Sequence, residues 1–238
     1  MSPEDVLNVA DVTKTFGSFT ALQGMSFHVK KGEILGLVGP NGSGKTTCMN
    51  VISGSYRADR GSIHFMGKDI HRTSASRLAH MGMNRTFQIP RPFKGLTVRE
   101  NLQIAATFVR RDAMGLEEIA AFIGLEDHLN KESGTLNSTQ QKLLDLGRAL
   151  ATGPALLLVD ELGAGMNPHE LDVTIERLKR LASRGISMIV VEHLMSFVRQ
   201  LTDRVIVMNA GKEIFEGTLD EAVKNEEVVR VYLGGGTP

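Results

Sequence analysis

The sequence predicts an α/β protein: a core built on a mainly parallel sheet, an N-terminal antiparallel β subdomain and an α-helical subdomain. Three observations predict it. Short, largely apolar runs at 34–38, 155–159 and 186–191 read as strands buried on both faces. Helical patterns alternate with these runs, which implies a parallel sheet covered on both sides. The stretch from Arg91 to Gly153 carries helical patterns alone, whereas the N-terminal stretch carries strand patterns.

Each element has a local reason. Val6, Leu7, Val9 and Val12 cluster as a first strand, and Met25 to Val29 alternate before the turn Lys30-Lys31-Gly32. Ile34-Leu35-Gly36-Leu37-Val38 is a buried strand, and Cys48, Met49, Val51 and Ile52 are the apolar side of a following helix. Gly61 to Phe65, with Met66-Gly67-Lys68, reads as a hairpin. Thr97-Val98-Arg99-Glu100 is a capping box ahead of Leu102, Ile104, Ala105 and Ala106, so a helix starts there. The helical pattern resumes over 116–123. Another helix runs from near Ser138 to Thr152, with Leu143, Leu144, Leu146 and Leu150 at helical spacing and Gly153-Pro154 as its stop. Asn167-Pro168-His169-Glu170 supplies an Asn cap, Pro at the first helical position and Glu at the third. Strands at 204–208 and 213–215 pair around Asn209-Ala210-Gly211. Thr218 to Glu221 caps a last helix ending near Leu233, and Gly234-Gly235-Gly236 forms a loose tail.

The 238 residues suffice for one large domain or a core with a subdomain. Lys plus Arg equals Asp plus Glu, 27 each, so no basic field exists for nucleic acid and no nucleic-acid partner is expected. One cysteine rules out an internal disulfide framework and fits a reducing compartment. The acidic start, Met1-Ser2-Pro3-Glu4-Asp5, has no apolar signal region. No stretch is long and apolar enough to span a bilayer, so work at a membrane requires another chain for the spanning part.

Chemistry concentrates first in Gly39-Pro40-Asn41-Gly42-Ser43-Gly44-Lys45-Thr46-Thr47, which matches G-x-x-x-x-G-K-[ST] between a strand and a helix. Glycines let backbone N–H groups curl around phosphate oxygens, and the helix N-terminus adds partial positive charge. Lys45 can reach β- and γ-phosphates, and the Thr46 hydroxyl can ligate Mg²⁺. The second concentration is Leu156-Leu157-Leu158-Val159-Asp160-Glu161, a buried strand ending in two carboxylates. Asp160 can hold Mg²⁺, and Glu161 can take the proton of an attacking water. Cys48 admits two readings: a small buried hydrophobe, or a thiol whose pKa falls beside a helix N-terminus and which a bound nucleotide shields. His28, His64, His71, His80 and His128 have no metal-like spacing and read as structural.

On these motifs the chain resembles the ATP-binding subunit of an ABC transporter, over nearly its whole length. The resemblance implies a P-loop NTPase (RecA-like) core. It divides the chain into an N-terminal β subdomain with the phosphate-loop part of the core (1–90), a helical subdomain (91–153), and the remainder of the core with a C-terminal helix (154–238). It implies ATP and Mg²⁺ as ligands, with Gly39, Asn41, Gly42, Ser43, Gly44, Lys45, Thr46 and Thr47 around the phosphates and Thr46, Gln88 and Asp160 around the metal. Gln88, in Arg85-Thr86-Phe87-Gln88, matches the glutamine that senses Mg²⁺ and water. His193, after Ile189-Val190-Val191-Glu192, matches the switch histidine. Phe16 sits where an aromatic ring meets adenine. Glu161, His193, Gln88 and Lys45 form the implied catalytic set.

One motif departs from the family. Leu136-Asn137-Ser138-Thr139-Gln140 stands where Leu-Ser-Gly-Gly-Gln contacts the nucleotide of the opposite subunit. Asn137, Ser138 and Gln140 are the implied contacts, and the β-carbons of Ser138 and Thr139 crowd the approach to phosphate. The composite site completed by this stretch is therefore expected to be weak, which favours a heterodimer with a second ATP-binding subunit over a homodimer. Asn84 to Gln88, Leu96 to Leu102, Ala164-Gly165-Met166-Asn167-Pro168, Glu216-Gly217-Thr218 and Tyr232-Leu233-Gly234 are similar to the branched-chain amino acid (hydrophobic amino acid, amide and urea) importer subgroup. That subgroup implies integral membrane permease subunits, an indirect periplasmic solute-binding protein, and a peripheral place on the cytoplasmic face of the inner (plasma) membrane. The alternative is a soluble ABC ATPase not tied to transport; those usually carry two cassettes or a long coiled-coil insertion, and this chain shows neither. A GTPase would need Asn-Lys-x-Asp, which the sequence lacks.

Overall fold

The computed structural model describes residues 5–107 and 114–233. Strands β1 (Asp5–Phe16) and β2 (Phe19–Lys30) pair antiparallel through a two-residue turn that sets Phe16 opposite Phe19. Strand β3 (Ile34–Val38) is buried throughout and leads into helix α1 (Lys45–Ile52). Strand β4 (Arg60–Phe65) adds to β1 antiparallel, and β5 (Lys68–Asp69) to β4, around Met66 and Gly67, both at positive φ (48° and 77°). These strands make a four-stranded antiparallel sheet in the order β2-β1-β4-β5.

Helix α2 (Ala75–Met81) and strand β6 (Met83–Arg85) follow, neither marked by a period in the sequence. They have seven and three residues, and α2 buries only Leu78, so neither offers enough positions for a periodic signal. Helices α3 (Val98–Thr107), α4 (Leu116–Ile123) and α5 (Ser138–Leu150) come next, with two short 3₁₀ turns between α4 and α5. The Thr97 capping box is present: Thr97 N donates to Glu100 Oε2 at 2.7 Å and Glu100 N to Thr97 Oγ1 at 3.2 Å. Leu102, Ile119, Ile123, Leu144 and Leu146 close this helical layer. Gly147 lets the helices touch; a Cβ there would stand 2.6 Å from Ile123 Cδ1.

The rest alternates as the sequence predicts: β7 (Leu156–Asp160), α6 (Pro168–Ser183), β8 (Ser187–Val191), α7 (Met195–Leu201), β9 (Arg204–Asn209) and β10 (Lys212–Gly217). The Asn167–Glu170 capping box closes as read, at 2.8 and 3.0 Å. The second sheet runs β10-β9-β3-β8-β7-β6, parallel except for the β9–β10 hairpin. Strand alternation splits the core. Leu35, Leu37, Leu156, Leu158, Ile189 and Val191 pack toward α1 and the antiparallel sheet. Leu157, Val159, Met188 and Val190 pack with α5 and α6.

One expectation is corrected. The predicted single C-terminal helix is two, α8 (Leu219–Ala222) and α9 (Glu226–Leu233). Asn225 breaks it: its Oδ1 accepts from Glu227 N at 3.0 Å and Val228 N at 3.1 Å, the geometry of a new N-cap. The glycine tail read from the sequence, 234–236, lies outside the described residues.

Candidate active site

The glycine-rich loop joins the C-terminal end of β3 to α1, where open parallel sheets bind ligands. Gly44 is at φ 106°, and a Cβ on it would meet the Ala21 carbonyl at 2.7 Å. The β9–β10 turn braces the loop, with Gly211 N donating to Ser43 O at 2.9 Å. Lys45 is buried, and its ammonium donates to the carbonyls of Gly39 (2.8 Å) and Pro40 (3.0 Å). Burial lowers its pKa, while Glu161 and Asp160 act the other way. The Ser43 hydroxyl is buried and lacks a partner. A buried orphan hydroxyl beside backbone N–H groups at a helix start fits a phosphate oxygen.

The loop forms one wall of an open groove of about 360 Å³. Asn41, Gly42, Ser43, Gly44, Lys45, Thr46 and Thr47 line it, together with Gln88, Glu161 and His193. Glu161 follows the last residue of β7 at φ 48°, a left-handed conformation that costs a non-glycine residue about 1–3 kcal/mol. Its backbone N donates to Val191 O at 2.9 Å. Both carboxylate oxygens are engaged: Gln88 Nε2 donates to Oε2 at 2.7 Å, and His193 Nε2 donates to Oε1 at 3.0 Å. The structure therefore brings Lys45, Gln88, Glu161 and His193 to one groove from four separate stretches of chain.

Asp160, at the end of β7, is 6% exposed. Burial raises its pKa, and Arg85 opposes that rise with Nη2 3.2 Å from Oδ2. Arg85 also donates to Asn50 Oδ1 at 2.7 Å, which ties the end of β6 to α1. Sequence reasoning missed Arg85 as a partner of Asp160; its only signal was a cation three residues before Gln88. It also missed Lys142 and Glu192, whose signal was charge set within apolar runs.

Other predicted residues lie apart from the groove lining. Phe16 stacks edge-on with Tyr56, ring centroids 5.3 Å apart, and carries the Lys14 ammonium 5.2 Å from its ring centre. Half-exposed, it is not a core side chain, and Phe19, its partner across the turn, lines the groove. Asn137, Ser138 and Gln140 begin α5. Asn137 Oδ1 accepts from Gln140 N at 2.8 Å, and Asn137 N donates to Gln140 Oε1 at 3.1 Å, a full capping box. Gln140 Nε2 donates to His128 Nε2 at 3.1 Å. Cys48 corrects the reactive-thiol reading: it is fully buried, and burial pushes its pKa up to about 12.

Comparison with known proteins gives consistent results. The family model described as ABC transporter matches residues 22–164. The chain is 37% identical to "Probable branched-chain amino acid transport ATP-binding protein LivG" of Archaeoglobus fulgidus, over 96% of this chain and 95% of that one. It superposes on the crystal structure of the ADP conformation of MJ1267, an ATP-binding cassette of an ABC transporter, with a TM-score of 0.86 at 33% identity, covering 97% and 99% of the two chains. The dimeric structure of MJ0796, a bacterial ABC transporter cassette, matches with a TM-score of 0.81 at 25% identity over 90% of this chain and 98% of that one.

Proposed function

The chain belongs to the ABC transporter family of ATP-binding subunits, and from that premise we propose that it hydrolyses ATP to power an importer of branched-chain amino acids or related amides. One observation carries the reading: Gln88 and His193 converge on the two oxygens of Glu161, in the groove that Lys45 and the orphan Ser43 hydroxyl also line. Glu161 accepts the proton of the attacking water. His193 and Gln88 orient that carboxylate and the water, and Lys45 with the loop N–H groups neutralises charge on the phosphates. Phe16, opposite the groove-lining Phe19, supplies a ring for adenine. Thr46, Gln88 and Asp160 would supply the protein oxygens of a Mg²⁺ site. The ion held there would neutralise charge on the transferring phosphate.

The relative MJ0796 is a dimer of such cassettes. In this reading two cassettes face each other, each loop opposite the partner's signature helix, here contributed by Asn137, Ser138 and Gln140. Because that stretch is spent on its own capping box, the partner with a regular signature is a second, different ATP-binding subunit. Among the described residues no helix is long and apolar enough to cross a membrane. Permease subunits therefore span it, with this chain peripheral on the cytoplasmic face and a solute-binding protein delivering cargo on the far side. Phe87, Ile89 and Phe93, beside Gln88, expose apolar area (50%, 72% and 46%) where a permease helix can dock and report to the site.

The test is reconstitution with candidate permeases and a second ATP-binding chain in vesicles, measuring ATP-dependent leucine uptake. Uptake that needs both ATP-binding chains is expected. Full uptake with this chain alone contradicts the heterodimer, and retention of no membrane subunit contradicts the transport reading.

A further inference from the structure

Helix α5 carries buried charge that the reaction above does not use. Lys142, two residues beyond Gln140, is only 9% exposed. Its ammonium donates to the carbonyls of Glu161 (2.9 Å), Leu162 (3.5 Å) and Ala164 (2.7 Å). An ammonium has three donors and no acceptor, so these carbonyls match its capacity. Burial lowers the Lys142 pKa, with Glu192 and Glu161 opposing. The same loop is also held by buried Glu192, which accepts from Gly163 N at 2.7 Å. Four consecutive residues, 161–164, are thus fixed through their backbone by two buried charges.

The helix repeats the device along one stripe. Asp145, three residues on, accepts from Phe87 N at 2.9 Å. Arg148, three further, donates to Arg91 O at 3.0 Å and lies 5.0 Å over the Phe93 ring. Residues at this spacing share a helix face. One face of α5 therefore grips the backbone beside both Gln88 and Glu161, the two side chains that meet at 2.7 Å.

We propose that Lys142 is a positioning residue for hydrolysis: from the helix that begins with the partner-facing Asn137, it fixes the backbone of Glu161 and so aligns the general base of this chain's own site. This rests on the assignment of Glu161 as base. The left-handed φ of Glu161 makes the clamp consequential, because a backbone released from that conformation carries the carboxylate away from the water. A displacement on the order of 1 Å costs about 10²-fold in rate.

The experiment measures kcat, KM for ATP, nucleotide affinity and melting temperature for Lys142→Met, Lys142→Arg and Glu161→Gln, and for Lys142→Met combined with Glu161→Gln, in the assembled transporter. Lys142→Met is expected to lower kcat by about 10- to 100-fold with KM and affinity nearly unchanged. Lys142→Arg, which keeps charge and donors, is expected to restore most of kcat. In the Glu161→Gln background Lys142→Met is expected to add almost nothing, since both act through one carboxylate. A wild-type kcat in folded Lys142→Met, or an equal loss in both backgrounds, overturns the proposal. Wild-type turnover in Glu161→Gln overturns the base assignment itself, a different failure. If Lys142→Met does not fold, Lys142→Gln takes its place: a reduced kcat supports the clamp and a wild-type kcat overturns it.

Discussion

The Gln88 side-chain amide donates to Glu161 Oε2 at 2.7 Å, joining the chain just beyond β6 to the chain just beyond β7. With His193 on the other oxygen, the carboxylate is oriented by two side chains from separate loops. A hydrogen bond to a charged group contributes about 1.5–3 kcal/mol, or roughly 10- to 150-fold in rate where it is needed for alignment. Gln88→Ala is therefore expected to lower kcat within that range while ATP affinity stays within a few-fold. Steady-state ATPase assays and nucleotide titration check this; an unchanged kcat would show that the bond does not align Glu161.

Phe16 and Phe19 allow a direct comparison. A ring stacked on adenine contributes roughly 1–3 kcal/mol, so Phe16→Ala is expected to weaken ATP binding by about 5- to 150-fold with little change in kcat. Phe19 lines the groove and is 62% exposed. Titration of Phe16→Ala and Phe19→Ala with a fluorescent ATP analogue decides between them, and a loss confined to Phe19→Ala would move the adenine contact there.

Cys48 is expected to be inert in the folded protein. With its pKa raised by burial to about 12, the thiolate fraction at pH 7 is on the order of 10⁻⁵. A bulky thiol reagent should label the native chain only at the rate of unfolding, with no loss of ATPase for ATP to protect. The sign of the linkage follows: the neutral thiol's contribution to stability is complete below pH 9.0, the ordinary value, and is lost as pH rises toward about 12. The slope is about 1.4 kcal/mol per pH unit. Denaturant unfolding at alkaline pH should show this slope in the native chain and lack it in Cys48→Ala.

Asn137 holds the start of α5 through its contact with Gln140. Asn137→Ala is expected to cost about 0.5–2 kcal/mol of stability, the usual range for losing an N-cap, and Asn137→Ser much less. Urea unfolding checks both. Equal stability of native and Asn137→Ala chains would mean that the residue is free to serve the partner's nucleotide instead.

Most of the fold was legible because its elements are long enough to show a period. The boundaries of 116–123 and the Asn167 cap were readable from local chemistry alone. What escaped was short or tertiary. The three residues of β6 form a strand only because Met83, Asn84 and Arg85 pair with Leu156, Leu157 and Leu158. Asn225 breaks the final helix through a side-chain bond that hydrophobic spacing does not record. Of the residues that line the groove, Lys45 and Glu161 could be named from their motifs and His193 from the family resemblance. Arg85, Lys142 and Glu192 could not, since each acts on residues distant in sequence. For Cys48 the helix N-terminus argued for a low pKa, but complete desolvation is the larger effect.

The central claim is that Glu161 is the general base of an ATPase whose groove binds nucleotide independently of it. Single-turnover hydrolysis by Glu161→Gln, measured beside ATP affinity, tests this most directly. A fall in rate of roughly 10²–10⁴-fold with ATP binding retained is the predicted result; hydrolysis at the native rate would contradict the account.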